Sequence, residues 1–172
     1  QYEIYGFDTG RGLPKPQDYR DIPYVWNSGF YKMDQENLKR HLKYSKLIIG
    51  DVVETQKTFF TTYQPAPIGC IFFDLAYHSY TKGALQIFSN AYDDFYLPRI
   101  QSYFDDVDTI ESIGERLAIK EFNQEHDFQK IENNYAVQSI EDFGWKVFEY
   151  HNFKHKLYNV PLAMDDQLPM KV

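Results

Sequence analysis

Short apolar runs alternate along the chain with longer segments in which apolar residues recur every three or four positions. The apolar runs predict strands over residues 3–7, 47–49, 68–73, 98–104 and 145–153, with residues 162–172 as a candidate for one more. The amphipathic segments predict helices over residues 34–45, 54–63, 81–89 and 111–125. Strands that alternate with helices are typical of a mostly parallel sheet with helices on both faces. We therefore expect one α/β domain over residues 1–172.

Residues 9–31 fit neither pattern, since they carry three prolines and several aromatic residues. Such a stretch reads as a loop. Loops of this length in compact domains usually bind something or cover a site. We expect an ordered segment that packs across the mouth of a pocket.

The run IGCIFF, residues 68–73, is apolar without alternation, which is typical of a strand covered on both faces. Its cysteine, Cys70, is therefore expected to be buried. It is also the only cysteine of the chain, so no internal disulfide can form. A reducing, cytoplasmic setting fits this composition.

Each of four predicted strands ends in acid: Asp8, Asp51, Asp74 and the pair Asp105-Asp106. In open parallel sheets, ligands bind beyond the carboxyl ends of the strands, so these acids are expected to face one site. The alternative is that each aspartate merely forms a turn or caps a helix.

Three of these carboxylates, Asp74, Asp105 and Asp106, would repel one another unless a positive charge lay between them. Oxygen ligands suit Mg²⁺ or Mn²⁺. The sequence thus predicts a metal site at the ends of two neighbouring strands, while Asp8 and Asp51 remain for ribose hydroxyls and an adenine amino group.

The overall charge narrows the classes of partner. A net charge of −7 and a pI near 5.2 argue against non-specific nucleic-acid binding and against adhesion to an anionic membrane. No run of about 18 apolar residues predicts a membrane span. The motifs of serine hydrolases, P-loop NTPases and dithiol redox proteins are absent. A homo-oligomer stays open.

Several stretches together resemble one known family. The residues in question are YGFDTGRGLP, IIGDVVETQKTFF, IGCIFFDLAYHSYTKGAL and YFDDV. In this order and spacing, over about residues 3–125, they resemble the second to fifth strands of class I S-adenosylmethionine-dependent methyltransferases of the macrocin O-methyltransferase type. The tail FGWKVFEYHNFKHKLYN looks like the late strands of bacterial relatives.

The resemblance implies a Rossmann-like fold and an O-methyltransferase that acts on a hydroxyl of a sugar or another secondary metabolite. It implies that Asp8 binds the cofactor ribose and that Asp51 lies near the adenine. It also implies that Asp74, Asp105 and Asp106 hold Mg²⁺, which would orient the acceptor hydroxyl and lower its pKa.

Two departures from the family pattern bear on activity. The first strand and its glycine-rich loop, which hold the methionine end of the cofactor, would precede Gln1. The second acid of the family's D-x-D motif is Ala76, which cannot take a proton. His78 is a candidate substitute base, with a packing histidine at a helix start as its alternative. We therefore expect this chain by itself to be inactive, and a non-catalytic binding domain with a methyltransferase-like fold is the second hypothesis.

Overall fold

A computed structural model describes residues 2–107, 110–137 and 146–161. Its strands are β1 (Ile4–Asp8), β2 (Ser45–Ile49), β3 (Ile68–Phe73), β4 (Tyr96–Phe104), β5 (Gln129–Asn133) and β6 (Val147–Asn152). Its α-helices are α1 (Gln35–His41), α2 (Val52–Tyr63), α3 (His78–Ala84) and α4 (Gly114–Glu125). Short 3-10 helices cover Tyr19–Asp21, Leu85–Ser89 and Asp93–Phe95.

The described strands form two sheets. β1 and β2 pair in parallel, and the second sheet has the order β3-β4-β6-β5. β3 and β4 are parallel, whereas β6 runs antiparallel to both β4 and β5. The predicted α/β class is confirmed, and the parallel pairs are the ones that carry the strand-end acids.

The structure moves some of the predicted elements. The helix expected over residues 81–89 begins earlier, at His78, and gives way to a 3-10 helix at Leu85. The strand β5 was not expected. The predicted strand at residues 145–153 is present as β6, but Trp145 lies outside the described residues, as does the candidate strand at residues 162–172.

One apolar core joins the two sheets. Ile48 of β2 and Phe59 of α2 belong to the same buried cluster as Phe73 of β3 and Tyr150 of β6. Parallel ring stacking recurs inside it, with a centroid distance of 3.9 Å between Phe88 and Tyr150. Aromatic side chains bury large areas, so they account for much of the core's stability.

The expectation for residues 68–73 is wrong in one respect. Cys70 is exposed and the Phe72 side chain is 74% exposed, whereas Phe73 is only 4% exposed. Successive side chains of a strand point to opposite faces. Only one face of β3 is therefore covered within the described part of the chain, and an apolar run without alternation did not reveal this.

No helix among the described residues has the length and apolar character needed to cross a membrane.

Candidate functional site

A cleft of about 430 Å³ opens where β1, β3 and β4 end. Its acidic floor consists of Asp8, Asp74, Asp105 and Asp106. The carboxyl ends of parallel strands meet at one edge of a sheet, which is why residues so distant in sequence share this cleft. The structure therefore brings four of the five predicted acids to one place.

Asp8 is held by its own turn. Its carboxylate accepts a hydrogen bond from the backbone N–H of Gly10, and its backbone carbonyl accepts one from Gly50 at 2.9 Å. Gly10 has φ of +69°, a conformation that glycine adopts without steric cost. Asp8 itself lines the cleft, so the turn presents the remaining lone pairs of its carboxylate to a ligand.

The Asp51 carboxylate serves as a helix cap. It caps α2, accepting a hydrogen bond from the backbone N–H of Val53 at 2.8 Å. Its neighbours Gly50 and Val52 line the cleft, but Asp51 is exposed and is not among the lining residues. The capping role kept as an alternative is thus present. Asp51 still raises the pKa of the cleft residue Tyr80, after the larger effect of burial.

The acids at the ends of β3 and β4 influence one another. Burial, followed by the charges of Asp74 and Asp105, raises the pKa of Asp106 to about 6. Burial and the charge of Asp105 also raise the pKa of Asp74. Asp105 differs, because the hydroxyl of Tyr103 donates to its carboxylate at 2.8 Å and lowers its pKa. Repulsion between close carboxylates therefore shapes this side of the cleft.

The predicted three-carboxylate metal site is not present in this arrangement. Among the described residues, no three acidic, histidine or cysteine side chains are placed to hold one cation. Asp74, Asp105 and Asp106 share the cleft, but Asp105 is paired with Lys146, whose Nζ lies 3.3 Å from its Oδ1. In this arrangement the three carboxylates do not fit Mg²⁺, because Lys146 already engages Asp105.

Sequence reasoning missed Glu115, whose side chain joins the segments that follow β3 and β4. Its side chain is fully buried. Its Oε2 accepts the backbone N–H of Asp106 at 3.0 Å, and its Oε1 accepts that of Leu75 at 3.4 Å. Burial and the charge of Asp106 raise the pKa of Glu115 well above its usual range. The signal was its position on the apolar stripe of α4, with Ala118 and Phe122 at helical spacing.

Ala76 lies in the cleft in an unusual conformation. Its φ is +57°, it is 4% exposed, and the backbone N–H of Tyr77 donates to the carbonyl of Leu75 at 2.6 Å to close a tight turn. The left-handed region costs a residue with a Cβ about 1–2 kcal/mol. The Asp106 carboxylate interacts with the Ala76 backbone, which supports the turn. Strain of this kind is concentrated at ligand sites.

The loop of residues 9–31 crosses the cleft, as predicted. Leu13, Trp26 and Tyr31 line the cleft wall. The buried hydroxyl of Tyr77 donates to the carbonyls of Pro14 and Trp26, at 3.3 and 3.4 Å. The loop is therefore ordered against the start of α3, and the prediction for this segment is confirmed.

A second residue missed from the sequence, Asp21, fastens this loop. Its carboxylate is 1% exposed and accepts hydrogen bonds from the Gln17 N–H at 2.7 Å and from the N–H and hydroxyl of Ser79, both at 2.8 Å. α3 has no side-chain cap from its own N-cap residue, so Asp21 supplies that cap from the loop.

His78 packs away from the four aspartates of the cleft. It is 3% exposed, and its Nε2 lies 3.1 Å from the carboxylate of Glu121. Glu121 also accepts a hydrogen bond from Lys82 at 2.7 Å. Since His78 is not among the residues that line the cleft, the geometry favours the packing role over that of a base.

Comparison with known proteins gives a likeness at the level of structure. No family model matches the chain, and no curated protein matches it. A crystal structure of the calicheamicin methyltransferase CalS11 superposes with a TM-score of 0.53 and 24% identity, covering 69% of this chain and 51% of that protein. The chain has a methyltransferase fold. An apo structure of CalS11, named as TDP-rhamnose 3′-O-methyltransferase of calicheamicin biosynthesis, covers 69% of the chain and 49% of its own at 26% identity and a TM-score of 0.41. The chain with this methyltransferase fold spans about half the length of CalS11.

Proposed function

We propose that this cleft belongs to an S-adenosylmethionine-dependent O-methyltransferase that acts on a hydroxyl of a sugar or another secondary metabolite. The observation that carries the proposal is the acidic cleft at the strand ends of a chain with a methyltransferase fold. The sugar or secondary-metabolite acceptor is proposed from the family resemblance of the strand-end motifs.

The β1–β2 side is proposed to hold the nucleoside part of the cofactor. Asp8 faces the cleft and has acceptor capacity beyond its bond to Gly10, which suits a pair of ribose hydroxyls. Asp51 is proposed to lie near the adenine. Capping one N–H does not exhaust a carboxylate with about four lone-pair sites.

The β3–β4 side is proposed to bind the acceptor. When bound, the cofactor would supply an electrophilic methyl group, carried on a positively charged sulfur, to the acceptor hydroxyl. Asp106 is proposed to receive the hydroxyl proton, because it lines the cleft and its pKa of about 6 lies close to neutrality. Trp26 and Tyr31 line the cleft and are proposed to contact the acceptor.

A non-catalytic binding domain is the second candidate, and Ala76 is the observation that favours it. The residue lies in the cleft where the family pattern has an acid, and an alanine cannot take a proton. Both candidates predict binding of S-adenosylmethionine, but only the first predicts transfer of its methyl group.

β1 and β3 belong to separate sheets among the described residues. The single domain over residues 1–172, a cytoplasmic location and the state of assembly also stay predictions.

A titration followed by amide NMR spectra tests the proposed function. We expect S-adenosylhomocysteine, the reaction product, to shift the amide signals of cleft residues such as Thr9, Gly12 and Tyr80. Asp8→Ala should weaken binding by about 3–10-fold, since a hydrogen bond to an uncharged partner contributes about 0.5–1.5 kcal/mol. Asp94→Ala, at a 75% exposed acid paired with Lys156 and absent from the cleft lining, is the matched control. Shifts confined to residues outside the cleft would contradict the proposal.

A further inference from the structure

Lys146 lies at the acidic end of the cleft, at the start of the antiparallel strand β6. Val147 pairs with Tyr103, so the beginning of β6 is placed beside the end of β4. A parallel strand in the same position would bring its far end there instead. The direction of β6 therefore delivers a lysine to the point where Asp105 and Asp106 leave the sheet.

The ammonium group of Lys146 is held in place. It donates to the backbone carbonyl of Asp105 and lies 3.3 Å from Oδ1 of the same residue. It also lies 6.0 Å from the centre of the Tyr103 ring. Its side chain is only 18% exposed, so the charge is partly desolvated and acts on its neighbours with little screening.

The same ammonium reaches the other two acids. Its charge lowers the pKa of both Asp74 and Asp106, opposing the repulsion among the three carboxylates. A cluster of carboxylates needs a compensating positive charge. A single lysine supplies part of this charge here, and it engages the carboxylate that a metal would require as a third ligand.

We propose that Lys146 is the resident cation of this acidic cluster, and that its ammonium excludes a divalent metal from Asp74, Asp105 and Asp106. One part of the inference rests on the proposed function: Lys146 positions the cluster for a methyl transfer that needs no metal. The exclusion of the metal concerns the chain's own residues and holds with no cofactor bound.

The test is a titration with Mn²⁺, followed by the electron paramagnetic resonance signal of the free ion, with no S-adenosylmethionine present. The wild-type chain and Lys146→Arg, which keeps the charge, should leave the added Mn²⁺ free up to millimolar concentration. Lys146→Gln should bind Mn²⁺ at least about tenfold more tightly than the wild type, because a positive charge close to the carboxylates is gone. Adding Asp105→Asn to Lys146→Gln should abolish the gain.

Two results would overturn the proposal. One is Mn²⁺ binding by the wild type or by Lys146→Arg that is lost in Asp106→Asn. The other is a folded Lys146→Gln variant, verified by circular dichroism, whose affinity equals that of the wild type. If Lys146→Gln does not fold, Mn²⁺ binding by the wild type or by Lys146→Arg still overturns the proposal. Since no cofactor takes part, a failure here is distinguishable from a failure of the S-adenosylhomocysteine titration.

Discussion

On the β1–β2 side of the cleft, Asp8 and Asp51 each accept a hydrogen bond from a backbone N–H two residues further along the chain. On the β3–β4 side, Asp106 and its neighbours are held by residues distant in sequence, with Glu115 beneath them and Lys146 beside Asp105. In the first arrangement each carboxylate is held by its own turn or helix cap, whereas in the second the carboxylates act on one another and on the buried Glu115. On the β3–β4 side, partial burial and then neighbouring negative charge raise the pKa of Asp74 and of Asp106.

The comparison predicts its largest effect at Glu115. Glu115→Ala should lower the free energy of unfolding by about 3 kcal/mol, because the N–H groups of Leu75 and Asp106 lose their acceptor inside a buried cavity. Urea denaturation would measure the loss. Glu111→Ala, at an exposed glutamate near the start of the same helix, is the control and should change stability by less than about 0.5 kcal/mol. A similar small effect at Glu115 would mean that the two strand ends do not depend on it.

The next largest effect is expected at Asp21, which joins the loop of residues 9–31 to α3. Asp21→Ala should cost about 2 kcal/mol, since three hydrogen bonds to a buried carboxylate are lost. It should also speed hydrogen exchange of the amides of residues 13–30, which Asp21 fastens to α3. Asp18→Ala, three residues earlier and paired at the surface with Arg20, is the matched control. Unchanged exchange in Asp21→Ala would show that other contacts hold the loop.

The contribution of Asp106 to the free energy of unfolding should change with pH by about 1 kcal/mol. The pKa of Asp106 is raised to about 6 by burial and then by Asp74 and Asp105, so the folded state favours its neutral form. This contribution to stability is full below the unfolded pKa near 4 and is lost as the pH rises through 6. The free energy of unfolding of the wild type, minus that of Asp106→Asn, should therefore fall between pH 4 and pH 7, by about 1 kcal/mol once solvent screening of the half-exposed group is allowed for. A difference that rises over this range would give the pKa shift the wrong sign.

The smallest effect is expected at Asp51, on the β1–β2 side of the cleft. Asp51→Ala should lower the free energy of unfolding by about 0.5–1 kcal/mol, the usual cost of removing a helix N-cap. Asp51→Asn keeps a side-chain oxygen that caps the helix, so it should lower the free energy of unfolding by much less than Asp51→Ala does. If Asp51→Asn destabilises as much as Asp51→Ala, the negative charge rather than the cap is what matters at this position.

The sequence predicted the parts of the site that depend on strand ends. Asp8, Asp74, Asp105 and Asp106 all reach the cleft, because the position of an acid after an apolar run determines its edge of the sheet. Asp51 follows the same pattern but caps its helix instead. Whether such an aspartate lines the cleft or caps a helix depends on the direction of its side chain, and the spacing of residues in the sequence does not reveal that direction.

The residues that were missed depend on packing and strand direction. Lys146 reaches Asp105 because β6 is antiparallel, and a short apolar run does not reveal its direction. Asp21 meets Ser79 across 58 positions of the sequence, a contact that no local pattern predicts. The exposed side chain of Phe72 was misjudged because continuous apolar character does not show whether a second layer covers the strand.

Isothermal titration calorimetry tests most directly whether the acidic cleft binds S-adenosylmethionine, as we claim. We expect weak, saturable binding that Asp8→Ala reduces and that Asp94→Ala leaves unchanged. An absence of heat at millimolar S-adenosylmethionine, or binding equally strong in Asp8→Ala, would contradict the claim.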